Sequence, residues 1–403
     1  MGLRRFGKFG SSLAQIPVWA LSWLVPRKAD LWVFGAWRGQ AFSDNPKYLY
    51  TYVKTHCPRI EAVWITKSRT LDRALRAQSV DSCFYLSPRG LYCQLRARAI
   101  FFTHTQDSDF LGAAVARNTY SCQLWHGTPL KKIMFDDPEH VQSENRLSRR
   151  LAAFLFPWLR NRWSLIVAPS GGVAERLQGA FKGTPVAVTG YPRNDSATPA
   201  QVSAEPRRIR EVIYMPTFRG AAGSSSSDEA INALFDAAGF DIAWMDARCA
   251  ELDMVLTIRL HPSNRLRAEL QRRILASNRI RFDQSADFYA CIDRYDVLIT
   301  DYSSVFFDFL LTGKPVIHAG FDVQHYIRDT RAFYQPYEDI CLTPGLSDWP
   351  QVMALLERFI EQGLDEAYRS RYARLAAWAN DRFERSCSEN VVRYVEAHLS
   401  RRA

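Results

Sequence analysis

Two histidines stand where apolar, strand-length runs give way to polar residues. His126 lies in "QLWHGTPLKKI" (123–133), and Gly127 directly after it permits a tight turn or the close approach of a ligand. A neutral imidazole at such a strand end can take a proton from an attacking hydroxyl. Thr128, Lys131 and Lys132 add a hydroxyl and positive charge suited to phosphate. His261 repeats the pattern in "TIRLHP" (257–262), with Arg259 two residues earlier and therefore expected on the same strand face. From the residues alone His126 is a base, a metal ligand or a packed core histidine. Zinc is disfavoured because no i, i+4 histidine pair and no third ligand accompany either one.

Further segments carry groups that suit a diphosphate. In "YDVLITDYSSVFFDFLLTGKP" (295–315) a buried strand is expected to run to Thr300, and a helix to start at Ser303 or Ser304 and stop before Gly313 and Pro315. The free backbone N–H groups and two hydroxyls at that start would receive phosphate oxygens. Asp301 would repel them and reads as a cap or orienting group, while Asp308, one turn in, is placed to reach ribose hydroxyls. "YMPTFRG" (214–220) presents Thr217 and Arg219, and "GYPRND" (190–195) presents Arg193. "DSD" (107–109) has the Asp-x-Asp form of a metal motif, but three residues specify little, and no metal site is assigned.

These groups need a scaffold, and the rest of the chain supplies one. Apolar runs at 31–37, 61–66, 99–104, 120–126, 164–170 and 186–192 read as buried strands of parallel α/β units, with helical patterns between most of them. A segment rich in Pro, Ala, Ser and charge (196–210) reads as a linker, after which strands resume at 211–218, 254–262, 279–284, 295–300 and 315–320. "GAAGSSSSD" (220–228) reads as a mobile loop able to close over a ligand. The expected layout is an N-terminal segment 1–30, a Rossmann-like domain 31–195, the linker, a second Rossmann-like domain 211–345 and helices over 346–403, some of them crossing back to the first domain. Two doubly wound sheets would face a central cleft, with ligands outside the carboxyl ends of the strands.

Composition narrows the partners. With 403 residues and 47% hydrophobic content the chain suits two folded domains of about 200 residues each. A net charge of +10, carried mostly by arginine, favours anionic partners. The absence of an aromatic-basic RNA motif argues against nucleic acid. Eight scattered cysteines without C-x-x-C spacing suit a reduced, cytoplasmic chain. The start combines Arg4, Arg5 and Lys8 with an apolar stretch from Leu13 to Val25 that holds Trp19 and Trp23 and is too short to span a bilayer. A segment lying at a membrane surface is expected, with packing onto its own domain as the alternative.

Taken together, "FSDNPKYLY" (42–50), "QLWHGTPLKK" (123–132), "GYPRND" (190–195), "YMPTFR" (214–219), "RLHP" (259–262) and "TDYSSVFFDFLLTGKPVI" (300–317) resemble the CDP-glycerol glycerophosphotransferase family of teichoic-acid primases and polymerases. The resemblance implies an α/β, GT-B-like fold with the acceptor on the N-terminal half, CDP-glycerol or another CDP-alditol on the C-terminal half, and neither metal nor cofactor. It implies that His126 and His261 are the functional histidines. Ser303 and Ser304 fall on the donor-phosphate segment, and Thr217 and Arg219 on a donor-side loop. It further implies transfer of an alditol phosphate to a hydroxyl of a lipid-linked or polysaccharide acceptor with release of CMP, at the inner face of the cell membrane. In the residue-level reading Arg259 and Asp308 also bind the donor phosphates and nucleotide, and Gly127, Thr128, Lys131, Arg193 and Asp301 support the site.

Departures from the family bear on the substrate. His318 stands where the family has an aromatic run, and the long N-terminal extension of the large polymerases is missing, as in members that add a single unit. The arginine-rich composition would suit a capsule or O-antigen pathway, with ribitol phosphate in place of glycerol phosphate. A GT-B glycosyltransferase using a nucleotide sugar, and a non-enzymatic membrane- or nucleic-acid-binding protein, are the competing readings.

Overall fold

The computed structural model describes residues 11–115, 118–144, 147–160, 163–218, 225–261, 264–285, 287–329 and 332–401. The chain divides into two compact units. One comprises Met1–His126, Ile133–Asp195 and Asp381–Ala403, and the other Gly127–Lys132 and Ser196–Asn380.

The first unit is built on a parallel sheet of β1 (Lys28–Phe34), β2 (Glu61–Thr66), β3 (Ser82–Phe84), β4 (Ala97–Phe102), β5 (Tyr120–Gln123), β6 (Leu165–Ala168) and β7 (Val186–Val188), in the order β3-β2-β1-β4-β5-β6-β7. The "LIVA" of β6 is buried at every position, which is why it reads as an unbroken apolar run rather than an alternating one. The second sheet contains β8 (Glu211–Met215), β9 (Val255–Ile258), β10 (Ile280–Phe282), β11 (Val297–Thr300) and β12 (Val316–His318), ordered β10-β9-β8-β11-β12 and again parallel. Both are doubly wound, and the strand order reverses between β1 and β4 in the first and between β8 and β11 in the second. The loops leaving those strands are where such sheets bind ligands.

The helices that matter below are α1 (Ile16–Leu24), α2 (Asp44–His56), α3 (Leu147–Leu155), α4 (Gly171–Ala180), α5 (Ser225–Ala237), α6 (Val305–Phe309), α7 (Trp349–Gln362), α8 (Glu366–Ala379) and α9 (Cys387–Ser400). Side chains at their starts fix several of them: Ser170 accepts the Val173 N–H, Asp348 that of Gln351, Asp365 that of Tyr368 and Ser386 that of Glu389. Helices α7 and α8 belong to the second unit, where Trp349 packs edge-on against Tyr214 and Phe240. Helix α9 belongs to the first, tied to it by the Cys387 and Ser388 N–H groups on the Asp195 carboxylate.

Several sequence expectations are corrected. The strands stop earlier than the apolar runs suggest: β5 ends at Gln123 and β9 at Ile258, so His126, Arg259 and His261 all lie in the loops that follow, where strand-face alternation no longer applies. The expected loop 220–228 is partly helical, since Ser225 opens α5, while 219–224 lie outside the described residues. The stretch 196–210 is not a free tether: Ala197 and Ile209 are buried in the second unit's core, and the Ala200 N–H donates to the Leu311 carbonyl. Strand β3 has too few apolar residues to stand out in the sequence.

His318, the last residue of β12, is 1% exposed. Its Nδ1 accepts the Leu342 N–H at 3.2 Å, and its ring meets Phe306 edge-on, so it takes part in an aromatic cluster. Burial pushes its pKa down to about 3. Between that value and the unfolded value of about 6.5 only the unfolded chain takes up the proton, so acidification removes stability. Lowering the pH from 6.5 to 4.5 is expected to cost about 2 kcal/mol through this one group. Urea unfolding followed across that range should be flatter by that amount in His318→Gln than in the parent protein.

Candidate active site

In the first unit, the loops leaving β1, β4 and β5 converge on His126. After β1 the chain turns through Trp37 and Arg38, both with left-handed backbone (φ 49° and 58°), and Gly39. Bulky residues rarely adopt this conformation and keep it only where the surroundings over-determine it. Here they do. The Trp37 N–H donates to Thr103 Oγ1 (3.0 Å) and the Arg38 N–H to Asp109 Oδ1 (2.6 Å). Asp109 Oδ2 accepts the N–H groups of Thr103 and His104, both at 3.0 Å. The "DSD" stretch thus supplies a fully buried carboxylate that pins the loops after β1 and β4 together.

The loop after β5 is held from the other side. Asn45 Nδ2 donates to the carbonyls of Leu124 (3.0 Å) and Trp125 (3.2 Å), while its Oδ1 accepts the Arg193 N–H (3.1 Å). Gln123 Oε1 accepts the Trp125 N–H, and Trp125 is again left-handed at φ 55°. Asp44 completes the frame: its Oδ1 receives Arg193 Nη1 at 2.7 Å and its Oδ2 the Trp37 indole N–H at 3.1 Å. The Asp44 and Arg193 side chains are 4% and 3% exposed. Arg193, expected to offer its guanidinium to phosphate, is therefore a buried partner of Asp44 and a support for the loop carrying His126.

His126 is half-buried, and its Nδ1–H donates to the Thr103 carbonyl at 3.0 Å. That bond fixes the tautomer and leaves the Nε2 lone pair to accept a proton. The ring stacks on His104 with centroids 4.8 Å apart and planes 12° from parallel. Burial, followed by the neighbouring His104, pulls the His126 pKa down to about 4, so it is neutral near pH 7. His104 is likewise lowered to about 4, first by burial and then by Arg38. Sequence reasoning overlooked His104, although it lies two residues beyond β4 much as His126 lies three beyond β5.

In the second unit a parallel construction surrounds Asp301, which is fully buried. Its Oδ1 accepts the N–H (2.8 Å) and the hydroxyl of Thr217 and the Tyr302 N–H (2.5 Å), tying the end of β8 to the end of β11. This is an orienting role. Ser303 and Ser304 follow, partly exposed, at the start of α6. His261 is half-buried, its ring 5.0 Å from that of Phe218, and burial lowers its pKa. Arg259 Nη1 donates to the Asp283 carboxylate and to the Ser285 carbonyl (2.9 Å) and hydroxyl (3.0 Å), so the guanidinium is held in place. Thr217, Phe218, Asp301 and His261 are thereby brought together; Arg219 lies outside the described residues.

The segment Gly127–Lys132 joins this unit directly after His126. Gly127 has φ 151°. Thr128 is buried, and its hydroxyl makes no hydrogen bond among the described residues. Leu130 enters the core, the Lys132 N–H pairs with the Ala332 carbonyl, and the Lys131 ammonium lies on the Tyr326 ring and bonds its hydroxyl. Asp308 differs from expectation. It is 1% exposed and accepts the Tyr289 hydroxyl at 2.8 Å, so it serves the core and not a ribose. No group of three or more His, Cys, Asp or Glu side chains able to hold a metal occurs among the described residues.

Against known proteins, a family model described as CDP-glycerol:poly(glycerophosphate) glycerophosphotransferase matches residues 18–397. A teichoic acid glycerol-phosphate transferase of Staphylococcus aureus is 28% identical over 339 residues, covering 78% of this chain and 79% of that protein. A teichoic acid poly(glycerol phosphate) polymerase of Bacillus spizizenii is 25% identical over 380 residues, covering 91% and 93%. Among solved structures, the wall teichoic acid polymerase TagF superposes with a TM-score of 0.68 at 19% identity, covering 100% of this chain and 99% of the other, which establishes the GT-B-like fold.

Proposed function

The chain belongs to the CDP-glycerol:poly(glycerophosphate) glycerophosphotransferase family, and on that premise we propose that His126 is the base that activates the acceptor hydroxyl in glycerol phosphate transfer from CDP-glycerol. The carrying observation is the Nδ1–H bond from His126 to the Thr103 carbonyl, which leaves Nε2 unprotonated and held in a fixed direction. The acceptor oxygen attacks the phosphorus that bears glycerol, its proton passes to Nε2, the bond from that phosphorus to the bridging oxygen breaks, and CMP leaves. Ser303, Ser304, Arg259 and His261 bind the donor phosphates, and Thr217, expected among them, is instead tied to Asp301 by its N–H and hydroxyl. Phosphoryl-type transfer asks little covalent chemistry of a protein, so positioning and charge stabilisation carry the rate. Identifying the nucleotide released from CDP-glycerol tests the scheme: CMP supports it, whereas CDP would mean cleavage at carbon and would defeat it.

The acceptor is lipid-linked and the enzyme works at the inner face of the membrane. Helix α3 supports this, with Leu147, Leu151, Phe154 and Leu155 exposed along one face and Arg149 and Arg150 exposed beside them. Helix α1 leaves Ile16, Leu21, Trp23 and Leu24 exposed, while its Trp19 packs on Trp158, just beyond α3. Among the described residues no helix is long and apolar enough to cross a membrane. Arg4, Arg5 and Lys8 lie outside the described residues. Full burial of an apolar side chain is worth about 1.5–3 kcal/mol, so Leu151→Glu with Phe154→Glu should weaken sedimentation with anionic vesicles by roughly a hundredfold. Turnover of a soluble acceptor should persist.

A further inference from the structure

The Trp37 ring, near that of His126, and the Arg38 guanidinium that follows it in the chain have no task in the scheme so far. Trp37 keeps 37% of its surface exposed although the structure fixes it at three points: its N–H on Thr103, its indole N–H on Asp44, and a ring centroid 5.2 Å from that of His104. Its ring lies 6.2 Å from that of His126. Arg38, next in the chain, is exposed, and its guanidinium makes no hydrogen bond or ion pair among the described residues. Its backbone is nonetheless clamped by Asp109 in the left-handed conformation. Two consecutive non-glycine residues in that conformation, both held by buried polar partners, point to a function for what they present. Both follow β1, at the point where the strand order of the first sheet reverses.

We propose that Trp37 and Arg38 form the acceptor subsite, the indole face taking the C–H face of the acceptor's terminal alditol or sugar and the guanidinium taking a phosphodiester one unit back. An exposed indole held rigidly offers contact area at little entropic cost, and a guanidinium matches two phosphate oxygens at once. The acceptor class this selects is a hydroxyl compound whose end unit is linked through phosphate. Burial first and then the Arg38 charge lower the proton affinity of His104, whose ring stacks on that of His126. This subsite rests on His126 acting as base, but its test does not require turnover.

The test measures binding by saturation-transfer NMR to the full chain, with two probes: bis(glycerol) phosphate, a phosphodiester with free hydroxyls, and diglycerol, its uncharged ether counterpart. Arg38→Gln should weaken bis(glycerol) phosphate about tenfold and leave diglycerol unchanged, since a charge-assisted bidentate contact is removed. Trp37→Ala should weaken both, and Trp37→Phe, which keeps a ring but loses the bond to Asp44, should retain most of the binding. Equal losses for both probes in Arg38→Gln, or unchanged binding in both Trp37→Ala and Arg38→Gln, would overturn the subsite. If the parent protein binds bis(glycerol) phosphate with this pattern yet releases no CMP from CDP-glycerol, the transfer scheme fails while the subsite stands. In turnover assays the same replacements should raise the acceptor KM and leave the CDP-glycerol KM as it was.

Discussion

Replacing His126 by alanine is expected to lower turnover by about a thousandfold, within the range of general-base contributions. The expectation follows from how completely the structure has prepared this one nitrogen. The Thr103 carbonyl fixes the tautomer, His104 stacks on one face, and burial keeps the ring neutral. A pKa of about 4 also predicts the pH dependence. As far as His126 is concerned, kcat/KM should stay level from neutral pH down to about 5 and decline below that as the imidazole becomes protonated. His126→Ala should lose that acidic limb together with the rate. Circular dichroism and unfolding should show the variant folded, because Asn45 and Gln123, which anchor this loop, are untouched.

The second large effect is on stability. Asp44 and Arg193 form an ion pair that is almost completely buried, and Asp44 also receives the Trp37 indole N–H and the Asn45 N–H. Removing one charge of such a pair leaves the other in a low-dielectric surrounding and costs about 3–5 kcal/mol. Arg193→Met should therefore lower the urea midpoint sharply. The double replacement Asp44→Asn with Arg193→Met should recover a substantial part of that loss, since it leaves no uncompensated charge. A single variant no less stable than the parent would show that the pair has no structural role. Activity should fall in the single variant as well, through Asn45, whose contacts with Leu124, Trp125 and the Arg193 N–H set the loop that carries His126.

Much of this fold could be read from the chain alone, for a physical reason. Parallel strands buried on both faces must be apolar at nearly every position, so β2, β4, β6 and β11 announce themselves. Their ends do not, because what stops β5 is the Gln123 side chain on the Trp125 N–H and a left-handed Trp125, neither of which changes the hydrophobic pattern. The same limit applied to charged residues. Arg193 and Asp308 carry the right groups for phosphate and ribose, but their partners, Asp44 and Tyr289, lie 149 and 19 residues away, and only the fold brings them together. His104 was legible by the strand-end rule that picked out His126. Its significance comes from the stacking, which depends on β4 and β5 being neighbours.

The division of labour between His126 and His261 is open to one direct measurement, calorimetric titration of CDP-glycerol into the full-length His126→Ala and His261→Ala variants. If His126 serves the acceptor and His261 the donor, the first variant binds CDP-glycerol with the affinity of the parent protein and the second binds it at least about tenfold more weakly. Loss of donor binding in His126→Ala, with parental affinity in His261→Ala, would contradict the account.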